Sequence, residues 1–402
     1  MKKLLFVINT LGRAGAETAL LELLRQLDPG QYEVDLYVLL GQGEMSGELP
    51  GYVRLRNRHY KNCSVLSRQG KRSLVGQVLW AMVKRGTLLK RLPYLLGNFR
   101  AMLKKKRVLT DKLLWRVISD GGEYFDTVYD LAVAFLEGGS AYYVADHVKA
   151  RKKAVFVHVD YGRAGYTRKL DRDCYLDFDR IFAVSEEVKS AFLEAYPECG
   201  PRTLVFHNLL NPDTIRSKAV LPGGFQDDFE GRRILTIGRL TAQKALEVSV
   251  DAMRLLKDRG EHVKWYVLGE GDQRSFLEER IRALGLTEDF LLLGAKDNPY
   301  PFLAQADIYV HASRFEGKSI AIQEAQILGK PILVSDCSGN REQVKQAEDG
   351  LMCPLEAEKI CGAVQMLLHD PKLRRRLGQA ASQRTFTDRS ELEKLFCLLS
   401  ED

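Results

Sequence analysis

From Ile308 to Val334 the chain reads IYVHASRFEGKSIAIQEAQILGKPILV. It opens on an apolar β-forming run, Ile308–Val310, and continues through a turn-rich loop. A stretch with helical character follows at about residues 318–328, and a second apolar β-forming run begins at Pro331. Strand, helix and strand in succession make a βαβ unit, whose two strands must lie parallel because the helix carries the chain back. The rhythm extends in both directions. Arg233–Ile237, Val263–Leu268 and Phe290–Leu293 read as strands, with helices near 242–258, 272–284 and 340–346. In the first half, Leu4–Asn9, Tyr32–Leu39, Thr127–Phe135, Ala154–His158, Ile181–Val184 and Thr203–Phe206 read as strands, and Glu17–Leu27 as an amphipathic helix. The expected fold class is therefore α/β: two Rossmann-like, doubly wound parallel-sheet domains in tandem, with their strand carboxyl ends facing a central cleft.

Size agrees with two domains, because 402 residues exceed what one hydrophobic core usually supports. The expected division is an N-terminal domain at 1–220, a linker at 221–231, a second domain at 232–385 and a terminal helix at 386–402 packing back on the first domain. The linker reading rests on the turn formers and acids of Leu221–Gly231. No run of eighteen apolar residues offers a membrane span. The apolar run after Lys3 ends within five residues, so it reads as a buried strand rather than a signal peptide. Seven cysteines, scattered and never spaced as CxxC, read as reduced cytoplasmic thiols rather than a disulfide frame or a zinc site.

Charge is unevenly placed. Residues 52–118 hold eighteen Lys or Arg against one acid, Asp111, a window of +17 in a chain of net charge +7. Within it, a helical insertion at 61–118 interrupts the βα rhythm, with Leu74, Val78 and Met82 on one stripe with Val75, Leu79 and Val83. Pro93 is expected to interrupt the helix, and a second piece with Leu95, Phe99, Met102 and Leu103 runs into Lys104-Lys105-Lys106-Arg107. An insertion apolar on one side and basic on the other suits an anionic membrane surface, contacted through about residues 72–118. A nucleic-acid partner is disfavoured, since no recognition helix or base-stacking pattern accompanies the basic residues.

The chemistry concentrates at Glu316-Gly-Lys-Ser-Ile-Ala-Ile-Gln-Glu324, two glutamates separated by seven residues, the first in a loop and the second inside the following helix. Free backbone N–H groups at Lys318, Ser319, Ile320 and Ala321 would open that helix and form an anion site suited to a diphosphate. Glu324, about a turn in, could accept hydrogen bonds from a ribose diol, as the acidic residue of dinucleotide folds does. The pairs Asp171/Asp173 and Asp177/Asp179 invite a metal reading, but they precede the strand Ile181–Val184 instead of ending one, so no metal is assigned.

This stretch, with Ala306-Asp-Ile-Tyr-Val-His-Ala-Ser313 upstream and Ala325-Gln-Ile-Leu-Gly-Lys-Pro331 downstream, resembles the signature of glycosyltransferase family 4, a GT-B-fold, retaining, metal-independent group. The resemblance covers nearly the whole chain and is strongest from 232 to 352. It implies transfer of a sugar from a nucleotide-diphosphate donor, a UDP-sugar on family frequency, with no cofactor. Arg239 and Lys244, in Ile237-Gly-Arg-Leu-Thr-Ala-Gln-Lys244, would grip the donor diphosphate. Gly12-Arg-Ala-Gly15 resembles the family's glycine loop over the donor, with Ala14 in place of a glycine, and Gly15 and Gly317 would approach the sugar. His158 would line the sugar pocket on the acceptor side, and Glu316 would hold sugar hydroxyls. Ala295 and Lys296, after the strand Phe290–Leu293, would edge the nucleobase pocket. Lys318 stands where the family commonly has a large apolar residue, a Glu-Gly-Lys-Ser variant similar to bacterial enzymes of lipopolysaccharide, capsule and exopolysaccharide synthesis. The acceptor implied is a glycan or a lipid-linked sugar, met at the inner face of the cell membrane. A GT-B epimerase or hydrolase is the nearest alternative, and a basic nucleic-acid-binding protein the more distant one.

Overall fold

The computed structural model describes residues 1–64, 67–83, 86–104, 109–386 and 390–400. Its strands are β1 Lys2–Ile8, β2 Tyr32–Val38, β3 Val53–Leu55, β4 Tyr129–Ala134, β5 Ala150–Val157, β6 Arg180–Ala183 and β7 Thr203–Val205, then β8 Arg232–Ile237, β9 Val263–Leu268, β10 Phe290–Leu292, β11 Ile308–His311, β12 Ile332–Ser335 and β13 Leu351–Cys353. They form two sheets, in the orders β3-β2-β1-β4-β5-β6-β7 and β10-β9-β8-β11-β12-β13. Every pairing is parallel. Both orders reverse direction once, between β1 and β4 and between β8 and β11, which is the doubly wound topology.

A parallel sheet is covered on both faces, and the sequence shows it as unbroken apolar runs. Leu4, Leu5, Phe6, Val7 and Ile8 of β1 are all fully buried. In the second sheet, successive residues divide between two cores. Ile234, Trp265, Val267, Val310 and Leu333 pack on one side, and Leu235, Tyr266, Leu268, Tyr309 and Val334 on the other. The period of two is that of alternating side chains on a pleated strand.

The chain divides into two compact units, Met1–Leu209 with the terminal helix Ser390–Ser400, and a second unit beginning at Leu210. This boundary corrects the expected one at 220. The helix Pro212–Ala219, capped by Asn211, packs on the helices Tyr300–Gln305 and Ile320–Ile327 of the second unit, and Asn298 Nδ2 donates to Lys218 O at 2.8 Å. Nor is 221–231 a free linker. Phe225 lies 4.3 Å from the Tyr266 ring and edge-on to Phe302, and Asp227 pairs with Arg233 at 2.8 Å. In the first unit the terminal helix stacks Phe396 on Tyr32, and Glu391 accepts from the His207 amide at 3.0 Å.

The insertion forms the helices Arg68–Val83, Thr87–Lys104 and Thr110–Asp120. Pro93 does not end a helix as expected, but sits inside Thr87–Lys104, where Tyr94 and Leu95 pack onto the small core of Met102, Leu113 and Leu170. That packing offsets the lost backbone hydrogen bond. The expected separation into an apolar and a basic side also fails. Leu74 and Val78 turn toward the first unit's core, whereas Val75, Leu79 and Val83 face outward. Several basic residues turn inward: Arg91 binds Asp120 through two nitrogens, at 2.6 and 3.0 Å, and the buried Arg116 binds Asp146 at 2.5 Å. Lys84, Arg85, Lys105, Lys106 and Arg107 lie outside the described residues, as do the side chains of Arg68, Lys71 and Asp111.

Candidate active site

The loops following β8 and β11 leave the second sheet side by side at its reversal point. They are stitched together by Gln243 Nε2, which donates to Phe315 O at 2.9 Å, and by the Arg314 amide, which donates to Gln243 O at 2.9 Å. Ala245, in the left-handed region at φ +46°, turns the first loop into the helix Leu246–Asp258 and leaves Lys244 at the turn. Lys244 Nζ donates to Glu316 Oε1 at 2.6 Å. The same oxygen accepts from Ser313 Oγ at 2.5 Å and lies 3.1 Å from His311 Nε2. His311 Nδ1 lies 3.0 Å from Tyr309 Oη. Nε2 also lies 3.2 Å from Lys244 Nζ, so two tautomers fit the contacts: an Nε2–H that donates to Glu316 with Nδ1 accepting from the Tyr309 hydroxyl, or a bare Nε2 that accepts from Lys244 with Nδ1–H donating to Tyr309 Oη.

Burial alone would raise the Glu316 carboxyl, but the Lys244 charge and the His311 hydrogen bond outweigh it and hold the group well below the usual carboxylate range. His311 is pushed down by burial and by the Lys244 ammonium, so its imidazole is neutral at pH 7. The cluster is a buried ion pair supported by the Ser313 hydroxyl and the neutral His311 ring, with Glu316 Oε2 making no hydrogen bond among the described residues.

The helix Ile320–Ile327 starts beside this cluster. One of its expected open amides is occupied: Ser319 N donates to Gln343 Oε1 at 2.7 Å, and Gln343 Nε2 returns a bond to Ser319 O at 2.8 Å. The amides of Ile320 and Ala321 have no acceptor among the described residues. Glu324, 6% exposed, accepts from the Tyr300 hydroxyl at 2.9 Å. Gly317 lies against Gly339, where an added Cβ would fall 2.1 Å from Gly317 O. Lys318 follows at the loop's end. Arg239 is exposed, and its side chain makes no hydrogen bond or ion pair among the described residues; its carbonyl accepts from the Thr241 amide at 2.9 Å. Ala295 and Lys296 are exposed after β10. Their nearest link to the cluster is through Tyr300, on the same connection, to Glu324.

In the first unit, His158 stands at the end of β5, its amide donating to Glu137 Oε2 at 2.9 Å. The ring packs near Phe135 and Phe156, its Nε2 is buried without a partner among the described residues, and burial lowers its pKa. Gly15 is exposed at the start of the helix Gly15–Arg25. Asn9 Oδ1, after β1, accepts from Ser140 N at 2.8 Å, drawing the Glu137–Ser140 loop onto that sheet's reversal point. Gly139 permits the approach, since a Cβ there would meet the Trp115 ring at 2.5 Å.

Sequence reasoning did not find His311, Ser313, Gln343, Tyr300, Asn9 or Glu137. For Glu137 the two glycines that follow it, Gly138 and Gly139, were the available signal. Three of the four paired acids are engaged internally: Asp171 is buried among the hydroxyls of Tyr142, Tyr161 and Tyr196, Asp173 pairs with Arg168, and Asp179 accepts from Lys153 N, while Asp177 is exposed. Asp120, Asp146 and His147 place ligand atoms within 4.8 Å of one another, but Arg91 and Arg116 already neutralise that group.

Residues 226–384 match the family model of the glycosyl transferases group 1. The chain is 28% identical over 152 residues to the alpha-D-kanosaminyltransferase of Streptomyces kanamyceticus, covering 37% of this chain and 39% of that protein. It is 31% identical over 182 residues to the N-acetylgalactosamine-N,N'-diacetylbacillosaminyl-diphospho-undecaprenol 4-alpha-N-acetylgalactosaminyltransferase of Campylobacter jejuni, covering 45% and 48%. The chain thus spans less than half the length of these relatives. In fold it resembles Anabaena Alr3699/HepE, solved in complex with UDP and glucose, at TM-score 0.69 and 15% identity over 100% of both chains. Sheet order, the loop pair at the reversal point and the family match agree: the two units have the Rossmann-like folds of the GT-B class, and residues 226–384 of the second match the glycosyl transferases group 1 model.

Proposed function

We propose that the protein is a retaining, metal-independent glycosyltransferase that moves a sugar from a UDP-sugar to a glycan or lipid-linked acceptor in bacterial surface-polysaccharide synthesis. The observation that carries this reading is the Lys244–Glu316 pair beside the open amides of Ile320 and Ala321, at the point where the second sheet reverses order. Lys244, the exposed Arg239 and those amides supply the positive charge that a diphosphate needs, without a metal. Glu324 meets the ribose diol, and Glu316 turns Oε2 to the sugar hydroxyls. In the first unit, His158 Nε2, buried without a partner among the described residues, is the group offered to substrate.

Glu316 is held through Oε1 by Ser313 and His311 as well as by Lys244, which leaves it placed to position the sugar through Oε2 rather than to attack it. The departing diphosphate then takes the acceptor's proton. The bond from the anomeric carbon to the phosphate oxygen breaks while the acceptor oxygen bonds on the same face, and Lys244 and Arg239 stabilise the charge that develops. The diphospho-undecaprenol in the Campylobacter relative's name supports a lipid-linked acceptor.

Thermal shift with UDP, GDP and their sugars, in EDTA, tests this in wild type and Glu324→Ala. UDP and UDP-sugars should raise the melting temperature in wild type only. An equal shift in the variant, or none with any nucleotide, refutes the donor site. Donor consumed without an acceptor would instead mark an epimerase or hydrolase.

A further inference from the structure

The insertion turns large apolar side chains to solvent on two neighbouring helices. On Thr87–Lys104, Leu89, Leu92, Leu96, Phe99 and Leu103 are all exposed, Leu89 to 78%. Trp80, on Arg68–Val83, is 58% exposed. Leu92, Leu96, Phe99 and Leu103 recur at four, three and four residues, one face of a helix. Soluble surfaces seldom present so continuous an apolar stripe. Arg100 and Lys104, also exposed, border it, the exposed Lys90 stands one residue beyond Leu89, and the helix Thr87–Lys104 contains no acid.

We infer that this face docks on an anionic lipid bilayer, with the apolar stripe at the depth of the headgroup boundary and Lys90, Arg100 and Lys104 on the lipid phosphates. Charge decides among the possible occupants. A second copy presenting the same face would bring three cations against three cations, whereas anionic headgroups above an apolar layer satisfy both halves of the surface. The cations of this window are not equivalent: Arg91 and Arg116 are committed to Asp120 and Asp146, so the lipid contact falls to the outward set. No helix among the described residues is long and apolar enough to cross a membrane, so the contact is interfacial. The inference extends the transferase reading by placing the reaction at a lipid surface, and its test needs neither donor nor acceptor.

The test is co-sedimentation of the full chain with vesicles of phosphatidylcholine alone or mixed with phosphatidylglycerol, at low and high salt. Partitioning should require phosphatidylglycerol and weaken with salt. Each cation removed should weaken it about fivefold, so K90Q/R100Q/K104Q should lose roughly a hundredfold. L89Q/L92Q/F99Q, at exposed positions, should keep its circular dichroism and its nucleotide-induced thermal shift yet bind vesicles at least tenfold more weakly, and Trp80 emission should shift to the blue on binding only in the unsubstituted chain. Failure of wild type to bind phosphatidylglycerol vesicles at low salt overturns the inference, as does equal binding by both variants. A concentration-dependent dimer lost in L89Q/L92Q/F99Q without lipid would assign the face to a second copy and overturn it too. Loss of the nucleotide shift with vesicle binding intact would sink the donor-site reading alone.

Discussion

Replacing Lys244 with methionine removes the one cation that neutralises Glu316 among the described residues. The two side chains are 14% and 7% exposed, so water cannot take over the role. Breaking a buried ion pair by deleting one partner costs about 3–5 kcal/mol, most of it the stranded charge. Here the Ser313 hydroxyl and the His311 ring remain on the same oxygen, and charge-assisted hydrogen bonds retain some of the stabilisation, so the low end applies: about 3 kcal/mol at pH 7.

The pH dependence fixes the interpretation. In wild type the folded-state pKa of Glu316 lies below the unfolded value, so its contribution is complete above about pH 4.3 and fades as pH falls toward the folded value. In Lys244→Met, burial is opposed only by neutral donors and the folded pKa rises above the unfolded one. The sign then inverts: the contribution is full below the unfolded pKa and is lost as pH rises through the folded value. The deficit of the variant should therefore be largest at pH 7 and shrink toward pH 4.5. The assay is urea unfolding in a W80F/W115F background, which leaves Trp265, buried in the second unit, as the sole tryptophan emitter. K244M/E316Q should recover about 2 kcal/mol relative to K244M, because a neutral amide needs no counter-charge. A deficit under about 1 kcal/mol at pH 7, or one that is flat from pH 4.5 to 7, would refute the account of a stranded charge.

Glu316→Gln releases Lys244 for the diphosphate. By calorimetry it should bind UDP about fivefold more tightly, equivalent to about 1 kcal/mol, while losing the additional affinity of a UDP-sugar; equal weakening for both ligands would contradict the assigned roles. Gln343→Leu leaves the Ser319 amide without its acceptor and the Ser319 carbonyl with only the Gln323 amide, so the second unit should lose about 2 kcal/mol in urea unfolding and the donor KM should rise. His158→Phe keeps the packing against Phe135 and Phe156 but removes Nε2: kcat should fall at least about tenfold with an unchanged melting temperature. Asp171 is pushed up to about 7 by burial, against the hydrogen bond from Tyr142 and the charge of Arg116. A raised folded pKa means stability that is full below about pH 4 and lost as pH rises through 7, so Asp171→Asn should flatten the pH dependence of the first unit's unfolding between pH 5 and 8.

The sheets were legible because strands buried on both faces show as continuous apolar runs, as from Leu4 to Ile8. The short edge strand β3, reading Val-Arg-Leu within a basic window, gave no such run, and neither did β13. At the site, Glu316 and Glu324 stood out by residue type and spacing, and Lys244 by the family resemblance. Their supports did not, because Lys244 and Glu316 meet across 72 residues and Gln343 reaches Ser319 across 24. Nothing local marks Gln343 as the partner of a helix-start amide. The stretch 221–231 looked like a linker from its turn formers and acids, yet the Phe225 ring and the Asp227 carboxylate are what bind it to the second unit. In the insertion, spacing identified the apolar residues but not which stripe the first unit would cover. Leu74 and Val78 are packed while Leu79 and Val83 are open, because a helix with apolar residues around more than half its circumference has two faces to offer and the core takes one.

The two cations of the proposed diphosphate site differ in what holds them, and that difference orders the steps of binding. Arg239 is exposed and uncommitted, so it meets an incoming diphosphate first at little cost in desolvation. Lys244 must exchange a carboxylate at 2.6 Å for a phosphate oxygen. The exchange leaves Glu316 buried with a shared counter-charge, tolerable only when sugar hydroxyls supply new donors to its oxygens. A nucleotide without its sugar therefore leaves Glu316 less satisfied than the complete donor does. The Lys244–Glu316 pair thus couples recognition of the diphosphate to recognition of the sugar through one carboxylate, with His311 and Ser313 keeping that carboxylate in place while its cation changes partners.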